Sequence, residues 1–248
     1  MRKAALIVVA VALMGGCGGG SHHVSGARRA PAPRSVRLPA RMLLGHSTVD
    51  HRRIVLIHAG NPHGVRVLVF GCIHGNEQAG IAIARELARI QGGPVDLWIV
   101  TNLNPDGTAR DVRQDGRGVD LNANWSSQWR GGGRAWDTYY PGPRPFSERE
   151  TRLARHLILR LRPRVTIWYH QHMDVVWAFG PSTAAGRAYA RAAGMRLYHH
   201  HWLRGTASNW QNHHLPRAAA FTVELPAGSL SSAQVKQHVR AVLRMARV

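Results

Sequence analysis

The stretch VRVLVFGCIHGNEQAGIAIARELARI, Val65 to Ile90, decides the fold. Its first six residues, Val65 to Phe70, form an almost unbroken apolar run and read as a strand buried on both faces. From Glu77 to Gln91 the apolar residues change to helical spacing, with Ile83, Leu87 and Ile90 on one stripe. Gly92, Gly93 and Pro94 stop that helix. Between strand and helix lies HGNE, His74 to Glu77. His-x-x-Glu offers an imidazole nitrogen and a carboxylate oxygen from neighbouring positions, and zinc accepts both at roughly 2 Å. Open α/β sheets build their sites at the carboxyl ends of strands, where this motif stands. Taken alone, the motif is equally a surface histidine beside a helix-opening glutamate.

Outward from this unit the alternation continues. Ile54 to His58 (IVLIH) and Val95 to Thr101 (VDLWIVT) read as strands. Residues 102 to about 146 hold no strong periodicity, and a connection of that length inside a compact domain is usually functional. Ser147 opens a helix through SERE, a capping-box pattern, and Pro163 ends it after about Leu161. Val165 to His170 (VTIWYH), Val175 to Phe179 (VVWAF) and Ala219 to Leu225 (AAFTVEL) read as strands. Residues 183 to 193 and Ser231 to Ala246 read as helices. The expected fold is α/β, a mixed, mostly parallel central sheet with helices on both faces.

The beginning of the 248-residue chain has a different character. Arg2 and Lys3 precede the apolar run Ala4 to Met14, which is too short for a stable membrane span, and small residues follow. This is the order of a secretory signal segment. LMGGC is similar to a bacterial lipobox, which makes Cys17 a candidate lipid anchor and residues 1–17 a leader. Residues 18–40, rich in Gly, Ser, Ala, Pro and Arg, read as a flexible tether, and residues 41–248 as the catalytic domain. The expected location is therefore outside the cytoplasmic membrane, in the cell envelope or secreted.

With only two cysteines a disulfide framework is excluded, and Cys72 reads as a small core residue at a strand end. The net charge of +20 is almost all arginine, scattered without a basic run interleaved with aromatics. It does not point to nucleic acid, and it suits an anionic envelope.

Further along stand NPDG, Asn104 to Gly107, and VDLNANW, Val119 to Trp125. HGNE, NPDG and GVDLN-x-N-W, in this order and at these distances, resemble the zinc metallocarboxypeptidase family, in particular its bacterial murein peptide amidases. Those enzymes cut the γ-D-glutamyl–diaminopimelate bond of cell-wall peptides. The resemblance spans roughly residues 45 to 245 and implies the zinc carboxypeptidase-like fold. It implies one zinc ion on His74, Glu77 and a histidine at the end of a later strand. WYHQH offers His170 and His172; strand alternation puts both on one face and does not choose, while the family spacing to Gly180 favours His170. Three protein ligands leave a fourth position for water, whose pKa zinc lowers towards neutrality.

The resemblance also makes Glu224, in FTVEL, the general base. It makes Arg113 the group that polarises the scissile carbonyl, with Arg110 and Arg117 as competitors, and Asn122 a holder of the substrate carboxylate. One departure stands out. The family often reads Asn-Arg-Asn, its arginine clamping the substrate's terminal carboxylate, whereas this chain reads Asn122, Ala123, Asn124. Alanine cannot replace a bidentate guanidinium, which weakens a C-terminal exopeptidase reading and leaves an amidase reading intact. Arg204 is a candidate replacement cation. GTASNWQN, residues 205 to 212, falls in the family's specificity region: Asn209 and Gln211 read as polar contacts to substrate and Trp210 as a wall, or the stretch is a turn with a packed tryptophan. His199 to His201 and His213–His214 read as pocket rim, surface or a weak second metal site. The expected activity is hydrolysis of amide bonds in peptide or murein-peptide substrates. An N-acyl amino acid deacylase and a non-catalytic wall-binding lipoprotein of the same fold are the alternatives.

Overall fold

The structure, a computed structural model, describes residues 39–248. The expected leader at 1–17, with Cys17, and nearly all of the expected tether at 18–40 lie outside the described residues. Eight strands form one sheet: β1 (Ala40–His46), β2 (Arg53–Gly60), β3 (Val65–Phe70), β4 (Val95–Val100), β5 (Val165–Gln171), β6 (Val175–Trp177), β7 (Arg196–Tyr198) and β8 (Ala219–Leu225). Their order across the sheet is β1-β2-β4-β3-β5-β8-β6-β7. The central run β4-β3-β5-β8 is parallel throughout. β1, β2 and β4 pair antiparallel, as do β6 and β8, while β6 and β7 are parallel. The sheet is thus mixed with a parallel centre, as the sequence predicts.

Six helices flank it: α1 (Ala79–Leu87), α2 (Pro105–Arg110), α3 (Arg149–Leu161), α4 (Thr183–Ala193), α5 (Ala207–His214) and α6 (Ser232–Leu243). Strand alternation divides the core between the two faces. Val67 and Val69 of β3 pack with Ile83 and Leu87 of α1, Tyr189 of α4 and Val242 of α6. Leu68 and Phe70 point the other way, towards Leu157 and Ile158 of α3 and Trp210 of α5. On that second face the rings of Phe70 and Trp168 stack at 3.8 Å, and Trp125 meets Trp168 and Trp210 at 5.6 and 5.2 Å. Burying three indoles here holds the long connection against the sheet.

That connection is ordered by polar bonds rather than by regular structure. Asn124 Nδ2 donates to the carbonyls of Pro141 and Arg144 and to Ser147 Oγ, while its Oδ1 accepts from Glu148 N and Thr151 Oγ1. α2 starts where Asn104 Oδ1 accepts from Gly107 N, with Pro105 at its first position. The predicted capping box at SERE does not form. Ser147 Oγ donates instead to Glu148 Oε1, and Glu150 is taken up by Thr48 N and Thr48 Oγ1 in the β1–β2 turn. Residues 207–214, for which the sequence offers either polar substrate contacts or a turn, form helix α5, and β1 and β7 add edge strands that no apolar run announces.

Gly75 lies against α2, and a Cβ there would sit 2.1 Å from the Gly107 carbonyl carbon. The three nearest atoms, Gly107 C, Thr108 N and Gly107 O, are all backbone, so Gly75→Ala must push the HGNE turn and α2 apart. It is expected to lower unfolding stability by about 1–3 kcal/mol in urea titration. An unchanged midpoint would show that this approach is not a constraint.

Candidate metal centre and active site

Three parallel neighbours, β3, β5 and β8, end on the same edge of the sheet. His74 follows β3, His170 is the penultimate residue of β5, and Glu224 is the penultimate residue of β8, opposite His170 in register. α1 begins two residues after Glu77 and turns that carboxylate back towards the strand ends. Three residues distant in sequence therefore meet because parallel strands share a direction.

The result is a tight buried cluster. His74 Nδ1 lies 2.9 Å from Glu77 Oε1, and His170 Nδ1 lies 3.0 Å from Glu77 Oε2 and 3.1 Å from His74 Nδ1. Each residue can offer one ligand atom with all three atoms within 4.8 Å of one another. Donors bonded at roughly 2 Å to one tetrahedral ion sit roughly 3.3 Å apart, so the spacing and the N₂O donor set fit zinc.

The surrounding bonds orient these donors. His74 Nε2 meets Asp120 Oδ1 at 2.9 Å, the carboxylate–histidine arrangement that leaves Nδ1 free as a ligand. Arg113 donates through Nε to Asp120 Oδ2 at 3.0 Å and through a terminal nitrogen to Glu77 Oε1 at 2.9 Å. Gln171 N donates to Glu77 Oε2. The Gln171 side chain accepts from Ala79 N at the start of α1 and donates to the Pro226 and Gly228 carbonyls beyond β8, locking the three elements together.

The electrostatics are those of a cation site. Burial disfavours a charged His74, but the Asp120 and Glu77 carboxylates outweigh it and raise its pKa to about 9. Burial opposes ionisation of Asp120 as well, yet His74 and Arg113 pull it down to about 2. Burial likewise works against the Glu77 carboxylate, and His74 and His170 hold it well below the usual range. A negative field that favours a proton on a buried imidazole favours a divalent ion between the same groups still more. Glu224 differs: burial raises its pKa, with Glu77 adding to the effect and His170 opposing it.

Glu224 and the cluster share the wall of an open cavity of about 770 Å³, which Arg113 and Asn122 also line. An adjoining cavity of about 620 Å³ shares Arg113 and Asn122 and extends past Ala123 to Arg130, Tyr139 and Arg204. Asn122 uses its Oδ1 to accept from Ala207 N, so α5 fixes it, and its Nδ2 lies 3.5 Å from His170 Nε2.

Two sequence-predicted residues stand elsewhere. His172 lies beyond the end of β5, exposed on the cavity rim, while His170 is in the cluster. Asn209 is buried in α5 and lines neither cavity; its Nδ2 donates to Gln128 Oε1 and the Leu203 carbonyl. The expected substrate contact at Asn209 is corrected to a bond that anchors residues 203–206 to α5, because the helix turns that side chain inward. Gln211 is buried too and bonds Thr166. His213 and His214 bond backbone carbonyls one turn back in α5, and His199 to His201 pack among Phe179, Trp177 and Tyr198. Neither group is among the clusters of three or more potential ligands found in the described residues. Asp120 and Gln171 escaped the sequence reading; the aspartate in VDLN and the glutamine in WYHQH were visible, but only their partners reveal their roles. Cys72 is buried, its thiol pushed up to about 12 by burial.

A zinc carboxypeptidase family model matches residues 93–214, just under half of the chain, taking in NPDG, VDLN and His170. Over these residues the chain is similar to zinc carboxypeptidases, which supports a hydrolase, and the family implies zinc. A search of curated proteins by sequence returns no match. Among solved structures, murein-tripeptide amidase MpaA from Escherichia coli O157 aligns over 89% of this chain and 97% of its own, at TM-score 0.68 and 22% identity. Carboxypeptidase A from Helicoverpa armigera aligns over 84% and 68%, at 0.68 and 17%. Bovine thrombin-activatable fibrinolysis inhibitor aligns over 84% and 89%, at 0.69 and 15%. At these identities the likeness is one of fold.

Metal analysis of variants tests the donor set of the domain. His170→Ala is expected to lose stoichiometric zinc and His172→Ala to keep it. Asp120→Asn should weaken zinc affinity about 10–100-fold by removing the orienting carboxylate. Equal zinc content in the two histidine variants would contradict the assignment.

Proposed function

We propose that this chain is an exported, zinc-dependent amidase acting on peptidoglycan-type peptides, with Glu224 as general base. The observation that carries the reading is the buried His74–Glu77–His170 cluster facing the same cavity as a carboxylate whose pKa burial has raised. These three residues would hold one ion, and zinc there supplies Lewis acidity, polarising an amide carbonyl and lowering the pKa of water. Glu224 takes a proton from the attacking water on its carboxylate and delivers it to the leaving amine. Arg113, on the wall between both cavities, stabilises the developing oxyanion. Asn122, braced by α5, orients the substrate through its side-chain amide.

The substrate class rests on three supports. The first is the likeness to a murein-tripeptide amidase over nearly the full length of both chains. The second is Ala123, which removes the usual carboxylate clamp. The third is the pair Arg130 and Arg204 in the adjoining cavity, which suit the several carboxylates of a diaminopimelate-containing peptide. The leader, Cys17 as a lipid anchor and the charge of +20 support an anionic envelope as the workplace. Ala123 also suits an N-acyl amino acid deacylase, which the same assay separates.

The test is hydrolysis of L-Ala-γ-D-Glu-diaminopimelate by the purified protein, with chelator and after zinc is restored. Release of diaminopimelate that stops with chelator and returns with zinc is expected. No release from zinc-replete protein would overturn the substrate assignment.

Glu224→Gln should keep zinc and lose about 10²–10⁴-fold in kcat. Because the base must be ionised and burial raises its pKa, kcat/KM should climb with pH along an acid limb displaced above the ordinary glutamate range. Equal turnover by the variant, or a limb unchanged in it, would remove Glu224 from the reaction.

A further inference from the structure

A second group of carboxylates lies away from the cavity. Asp115, in the connection before VDLN, and Glu148 and Glu150, where α3 begins, are each wholly buried. One oxygen from each lies within 4.8 Å of the others. Some of their oxygens are satisfied. Asp115 Oδ1 accepts from Arg117 N and Val119 N, Glu148 Oε1 accepts from Ser147 Oγ, and both Glu150 oxygens accept from Thr48. The remaining oxygens, Asp115 Oδ2 and Glu148 Oε2, are buried with no hydrogen-bond partner. The cation nearest to them is Arg117, half exposed, with Nε 3.8 Å from Glu148 Oε2. That is beyond hydrogen-bond distance, and one remote guanidinium does not compensate three buried carboxylates.

We infer that Asp115, Glu148 and Glu150 form a structural site for one hard divalent cation of the calcium class, separate from the zinc centre. The donors are all oxygen, which selects calcium-like ions over zinc, whose sites here and elsewhere use imidazole. Oxygens within 4.8 Å of one another can all reach one calcium ion, whose bonds of about 2.3–2.6 Å span up to about 5 Å. The two unpartnered oxygens supply the lone pairs, while the bonds from Thr48, Arg117, Val119 and Ser147 hold the carboxylates in place.

The site would join the 115–119 turn to α3 and, through Thr48, to the β1–β2 turn. Arg113 stands two residues before Asp115, and Asp120 directly follows Val119. A cation there braces the segment that orients His74. It acts through those residues and touches no substrate.

The experiment uses the full chain, zinc-loaded and stripped of calcium. Calcium is titrated calorimetrically, thermal unfolding is followed with calcium or magnesium, and terbium luminescence excited through tryptophan reports occupancy. One equivalent of calcium, a Tm several degrees higher with calcium than without, and terbium emission that calcium displaces are expected. Glu148→Gln should keep its zinc, unfold without calcium at a temperature no lower than wild type because a buried charge is gone, and lose the calcium-dependent rise. If a proton rather than a cation neutralises the group, zinc-loaded wild type will show neither calcium binding nor a Tm shift at millimolar calcium, and the inference falls. Undiminished calcium binding by Glu148→Gln and by Asp115→Asn would also overturn it, since the ion would then sit elsewhere.

Discussion

The hydrogen bond between His74 Nε2 and Asp120 Oδ1 is the contact on which the site depends. It joins the turn after β3 to the VDLN segment, two parts of the chain 46 residues apart. It fixes which imidazole nitrogen faces the cluster, and its second carboxylate oxygen holds Arg113, which in turn reaches Glu77. Candidate metal donors, oxyanion candidate and the irregular connection are thus one buried network. Such a network is stable only if every member is satisfied, and the loss of one partner leaves a buried charge alone.

Beneath it the sheet supplies direction. β3, β5 and β8 run parallel, so residues as far apart as His74 and Glu224 arrive at one edge, and the apolar faces of the strands leave the polar residues to gather at their ends. The second face, with Trp125, Trp168 and Trp210 packed together, presses the long connection onto that edge. Rigidity of the site therefore comes from aromatic burial on one side and from α1 closing over Glu77 on the other.

Much of the fold was legible because buried parallel strands and amphipathic helices leave strong periodic signals. The centre of the sheet and four of its helices follow from such runs. The edge strands β1 and β7 are short and partly exposed, so composition does not mark them. α5 was hidden because its residues are polar and buried, the reverse of an amphipathic stripe, and Asn209 was misplaced with it. The SERE pattern marks the start of α3 correctly, but its capping box does not form because Thr48, distant in sequence, competes for Glu150. At the site, His74 and Glu77 are readable as a pair because they are local. The choice between His170 and His172 is not, since period two treats them alike and only the end of β5 separates them. Asp120 needed its partner to be seen.

Everything proposed for the site requires that His74, Glu77 and His170 hold a single zinc ion. Anomalous diffraction at the zinc edge, from crystals of zinc-replete protein, tests it most directly. One strong peak bonded to His74 Nδ1, His170 Nδ1 and the Glu77 carboxylate is expected, with Asp120 still on His74 Nε2. A peak at the His199–His201 run, or a cluster that remains closed on itself without zinc, would contradict it.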